Sequence, residues 1–226
     1  MPDHATLQAA LAAAVSTETS GLEFDMWGTI VDRDGVVCAV AFSGADRSAQ
    51  WPGSRVIAAQ KANTANAFSL GGLSLSTANL FSAVQPGGSL FGLQESNPVD
   101  TDVAYAGPSA DYGQSNDPMV GSKIGGVNVF GDGLALYAPG GVLVGAVGVS
   151  GDTSCADHHI GWRVRNSLGL DNLAGVGGVS GDGARPDNIV FDIVPDPNGG
   201  TGVSAGGFGH ATCLNNGDET TLPVVQ

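Results

Sequence analysis

The chain has 226 residues, 22 Asp and Glu against 8 Lys and Arg, and a formal net charge of -14. Eight scattered cations cannot build the basic stripe that neutralises a phosphate backbone, which excludes nucleic acid as a partner, and the same repulsion disfavours anionic membrane surfaces. A hydrophobic fraction of 42% excludes wholesale disorder, and no apolar run approaches the roughly 20 residues of a spanning helix.

The first segment, from Asp3 to about Thr19, places Leu7, Leu11 and Val15 on one helix face, with Asp3 or Thr6 as cap and Gly21 as terminator. It lacks a basic stretch followed by a continuous apolar block, so as written the chain reads as cytoplasmic; the alternative is periplasmic or secreted if a leader was removed. "FDMWGTIVDRDGVVCAVAFSG" reads as a β-hairpin turning at Asp34-Gly35. "WPGSRVIAAQKANTANAFS" reads as a helix with Ser54 as candidate cap, and Thr77 to Val84 as a shorter one. Gln94 to Ser122 is rich in proline, glycine and acids and is expected to be a long surface excursion. Three apolar runs, Val127 to Phe130, Leu134 to Tyr137 and Val142 to Val149, predict a three-stranded meander. Ser154 to about Leu168 follows as a helix capped by Asp152, Thr153 or Ser154 and ended by Gly169. The sum is an α+β domain over 1–170, with a five-stranded antiparallel sheet flanked by helices. A loop-rich extension over 171–226, with one strand at Asn188 to Val194, is expected to wrap the same domain.

Most nucleotide and nucleophile motifs fail on context. "GDGLAL" and "GFGHAT" lack the last glycine of a dinucleotide fingerprint, and "GVSAG" around Ser204 is not followed by a helix. "GVSGD" at Gly148 does join a strand to a helix, so the amides of Ser150 and Gly151 form a candidate anion pocket, against the plainer reading of a turn with a capping acid. The next helix carries Cys155, Asp157, His158, His159, Arg163 and Arg165. Adjacent histidines cannot face one ligand together, which is poor spacing for zinc, but either suits haem iron or acid/base work. Arg163 and Arg165 are expected in ion pairs. The three cysteines have no CxxC spacing; Cys38 lies in an apolar strand, and if two pair they are Cys155 and Cys213, a bridge stabilising by about 4 kcal/mol.

Together "TIVDRDGVVCAV", "SRVIAAQKANTANAFS" and "GVLVGAVGVSGDTSCADHHIG" resemble the GlcG/HbpS family, also found as the C-terminal part of PduO-type proteins. Asp32, Gly35, Arg55, Lys61, Gly148, Gly151 and Asp157 fall on its motifs, and Asn128 stands where the family has proline. The tail phrases "RPDNIVFDI" and "GFGH" resemble longer, often exported relatives. The resemblance implies a profilin-like fold, a homo-oligomer, and haem or tetrapyrrole binding, sometimes haem degradation. On that reading His158 or His159 is the axial ligand and Arg55 or Lys61 pairs with propionates. A rival reading is an enzyme on a small organic acid or carbonyl compound. Its cleft lies between the "KA" helix and the "GVSGD" turn, Arg55 or Lys61 holds a carboxylate, His159 lines the site, and Asp157, His158 or His210 moves protons. A ligand-free accessory subunit is the third.

Overall fold

The computed structural model describes residues 1–226. Helix α1 spans His4–Val15, and Asp3 caps it by accepting the Thr6 amide at 2.9 Å. Strands β1 (Trp27–Asp32) and β2 (Val37–Phe42) form the hairpin, and helix α2 covers Ser54–Phe68. Two turns of 3-10 helix follow at Thr77–Leu80 and Ser82–Val84, then short helices α3 (Leu93–Ser96) and α4 (Thr101–Ala104). Strands β3 (Gly133–Ala138) and β4 (Val142–Ser150) lead into α5 (Ser154–Ser167), and a separate two-stranded ribbon joins β5 (Ile193–Val194) to β6 (Val203–Ser204).

The main sheet is antiparallel, in the order β2-β1-β4-β3, with Ile30 opposite Ala39 on one side and Val147 on the other. Both faces are covered. Helices α1 and α5 bury Leu7, Leu11, Ile160, Trp162 and Val164 against Ile30, Leu134, Leu136, Val147 and Val149. The opposite face carries α2, whose alanines at 58, 59, 62 and 65 are buried against Trp27, Val31 and Ala146. Small side chains let this helix lie directly on the strands. At Gly148 a Cβ would collide with the Ala58 carbonyl, so the close approach depends on glycine there.

The sheet has four strands rather than the five expected. Val127 to Phe130 stays out of the ladder because side chains take its backbone groups. Thr64 Oγ1 accepts the Asn128 amide at 3.0 Å, and Thr77 Oγ1 donates to the Phe130 carbonyl at 2.7 Å. The strand expected at Asn188 to Val194 contracts to the two residues of β5. Ser54 does not cap α2; the cap position is Gly53, which has no side chain to offer. Nor is Gln94 to Ser122 merely a surface excursion. Ala104, Met119 and Asp117 are buried, and the segment packs on the α2 face of the sheet and pairs beside β2 at Val37. The segment from Asp171 onward buries Leu173, Ile189 and Leu222, and Trp162 Nε1 donates to the Pro223 carbonyl at 2.9 Å. No helix is long and apolar enough to cross a membrane.

Candidate functional site

The charged residues singled out in the sequence converge between α2, the C-terminal end of β4 and α5, and there they face one another. Lys61, at 0% exposure in the middle of α2, donates to the Gly131 carbonyl at 2.6 Å, the Val149 carbonyl at 3.0 Å and Asp157 Oδ2 at 2.6 Å. Asp157 Oδ1 accepts the amides of Gly151 at 3.1 Å and Asp152 at 2.9 Å. The anion pocket of the "GVSGD" turn is therefore filled by the protein's own carboxylate, and its amides are those of Gly151 and Asp152 rather than of Ser150 and Gly151, since Ser150 still lies in the β4 ladder opposite Trp27. Burial pushes the Asp157 carboxyl up to about 7 against the pull of Lys61, and burial lowers Lys61 in turn. Asp152, one of the three candidate caps of α5, bonds instead to the amides of Leu22 and Phe24; Thr153 caps the helix.

His158 continues this buried network. Its Nε2 lies 3.0 Å from Asn188 Oδ1 and 3.2 Å from the Ile189 amide nitrogen, and its Nδ1 lies 3.3 Å from Asp132 Oδ1. Burial raises the Asp132 carboxyl, which sits at 0% exposure. Gly161 makes the room, since a Cβ there would overlap Asp132 Oδ2. One turn away, Arg165 pairs with Asp187 at 2.6 and 2.9 Å, and Asp187 also accepts from Ser74.

His159 points the other way, as its neighbour's opposite on the helix must. Its Nδ1 lies 3.6 Å from Glu18 Oε1, and Arg163 binds the second oxygen of the same carboxylate. Burial pushes Glu18 up, but bonds from His159 and Ser20 and the Arg163 charge outweigh it and hold the group down at about 2. His210 belongs to the extension. It stacks on Phe81 with ring centroids 4.7 Å apart, and burial pushes it down to about 4, so its imidazole is neutral at neutral pH. Cys155 and Cys213 form a disulfide that ties the extension to the first turn of α5.

Arg55 is occupied as well. It makes a two-point pair with Asp117, donates to the Ala104 carbonyl at 2.8 Å and stacks over Tyr112 at 3.7 Å. Three of its five N–H groups are used and the side chain is 2% exposed, so it is not presented to a propionate or a substrate carboxylate. The structure thus joins Lys61, Asp157 and Gly151 in one buried cluster with His158 nearby, and separates from it Ser150, His159, His210 and Arg55. Lys61 and Asp157 are 0% and 1% exposed, and neither lines any of three open clefts of about 300, 360 and 190 Å³.

Open clefts lie elsewhere. One of about 300 Å³ runs between the start of α1 and β2 and is lined by His4, Ala5, Cys38, Ala39, Val40 and Val120 among others. His4 is partly exposed at its edge, where Nε2 meets the Gly113 carbonyl at 2.8 Å. Two adjoining clefts of about 360 and 190 Å³ flank the β5–β6 ribbon; His210 lines the smaller. His4 carries no motif and reads from the sequence only as a spare remote ligand; the packing of Cys38's strand against the N-terminal helix is what gives it a setting.

Structural comparison gives matches over most of the chain. A crystal structure described as a PduOC:Heme complex is 23% identical with a TM-score of 0.50, covering 72% of this chain and 89% of that one. Klebsiella pneumoniae protein ORFY is 24% identical, TM-score 0.49, covering 74% and 90%. A double mutant of Streptomyces reticuli HbpS is 16% identical, TM-score 0.47, covering 73% and 83%. The first of these shows the shared fold. No curated protein matches the chain in sequence. The family model described as "Haem degrading protein HbpS-like" matches residues 3–164, and on that match the chain belongs to the HbpS-like family.

Proposed function

We propose that this protein binds haem or a related tetrapyrrole, and that it does so in the cleft between α1 and β2, with His4 as the iron ligand. The observation that carries the reading is the burial of the other histidines. His158, His159 and His210 are 0%, 1% and 2% exposed, and of the three only His210 lines one of the open clefts, that of about 190 Å³. His4 lies on a cleft whose lining is more than half hydrophobic, as a tetrapyrrole face requires. Cys38 shares that cleft, but burial raises its thiol, so it stays protonated and leaves the imidazole as the better donor. Lys123, exposed and paired with Val36 at the beginning of β2, is the cation this edge offers to a propionate.

Bound there, the iron would supply the redox and ligand-exchange chemistry of haem, while the chain supplies an imidazole and an apolar wall. Sequestration needs no more than this. Assembly with copies of itself belongs to the same reading, and the disulfide favours an oxidising compartment. Haemin titrated into the full oxidised chain should give a Soret shift that saturates near one equivalent; no shift at micromolar protein would end the reading. The rival enzyme reading has no open cleft at Asp157, its best-placed acid.

A further inference from the structure

The disulfide has a third neighbour. A ring nitrogen of His210 and the sulfurs of Cys155 and Cys213 all lie within 4.8 Å of one another. His210 Nδ1 faces the Ala211 carbonyl at 2.7 Å and so carries the proton. That leaves Nε2 as a lone-pair donor which is buried and has no hydrogen-bond partner. A buried acceptor without a partner is a standing cost in a folded chain, and it calls for an explanation. Its arrangement is that of a ligating histidine, whose second ring nitrogen donates to a carbonyl that fixes tautomer and orientation.

The sulfurs are equally prepared. The Cys155 amide, in the first turn of α5, donates to Cys213 Sγ at 3.2 Å, and Ser154 Oγ lies 3.6 Å from the same sulfur. An amide at a helix N-terminus favours thiolate over thiol once the bridge is open. Asn216 Oδ1 stands 3.6 Å from Cys155 Sγ, and the cleft lined by His210, Ala211 and Thr212 gives a path from solvent.

We propose that reduction of the Cys155–Cys213 bridge unmasks a Cys2His site for a thiophilic divalent cation of the zinc type, with Cys155, Cys213 and His210 as ligands. The fourth position is left to water or to Asn216. A dithiol reductant delivers two electrons and two protons to the sulfur–sulfur bond and leaves as its own disulfide, giving two thiols. Entry of the cation then expels both thiol protons to solvent. In the oxidised chain the sulfurs are neutral disulfide atoms, poor donors beside thiolate, and the site is closed, so the metal reads out the redox state of the compartment.

Cobalt(II) is a spectroscopic stand-in for zinc. Added to the full chain reduced by a non-chelating phosphine, it should give thiolate-to-metal charge transfer and the intense visible bands of a tetrahedral ion at one equivalent, displaced by zinc. The oxidised chain should show neither. His210→Ala keeps both cysteines and folds with its bridge intact; after reduction it should bind at least about tenfold more weakly. Zinc should also raise the melting temperature of the reduced wild type and leave that of the oxidised protein unmoved. Equal cobalt affinity in reduced wild type and His210→Ala, equal binding by the oxidised chain, or no tetrahedral spectrum on reduction would each overturn the proposal.

Discussion

Lys61 shows what burial does to the reading of a single residue. In the middle of an alanine-rich helix it reads as a solvent-facing cation or as a ligand's counter-ion; in the fold it is the only positive charge on the Asp157 carboxylate, at 2.6 Å. Removing one partner of a buried pair strands the other, so Lys61→Met should cost about 3–5 kcal/mol in urea denaturation. A cost below about 1 kcal/mol would mean that the two turn amides satisfy Asp157 without the lysine. The residue types of this cluster were legible from the sequence; its closure was not. That Arg55 meets Asp117, 62 positions away, depends on a segment whose composition signals only loop.

Among the elements, α1 and α5 are joined at one polar point, where Glu18, just past α1, meets His159 and Arg163. Because the folded state holds the Glu18 carboxyl at about 2 and the unfolded chain near 4.5, the unfolded state binds more protons between those values. The stabilisation is fully present above about pH 4.5 and is lost as pH falls toward 2. Glu18→Gln should therefore flatten the acid side of the urea midpoint plotted against pH; an unchanged acid slope would show that other carboxylates set it. The start of α1 at Asp3, the hairpin turn at Asp34-Gly35 and the end of α5 at Gly169 followed from periodicity and turn residues, whereas α1 stops at Val15 rather than running to Thr19 and Gly21. The fifth strand did not form because periodicity cannot show that Thr64 and Thr77, on other elements, occupy the backbone of Val127 to Phe130.

At the scale of the whole molecule, the extension is held by Leu173, Ile189 and Leu222 in the core and by the bridge from Cys213 to Cys155, 58 positions apart. A crosslink over a loop of that length contributes about 4 kcal/mol through the entropy of the unfolded chain. Cys213→Ser should lower the denaturation free energy by roughly that amount. A loss of a few tenths would place the extension's anchorage in its apolar contacts alone. The same wrapping buries His158, and the tetrapyrrole site is placed away from the histidine pair, at the opposite end of α1.

That claim rests on His4, and haemin binding to His4→Ala tests it most directly. His4 lies at the edge of the fold, with a single hydrogen bond to Gly113, so the variant should fold. The Soret shift of the wild type should be lost or weakened at least about tenfold in His4→Ala. A titration of His4→Ala that overlays the wild type would contradict it.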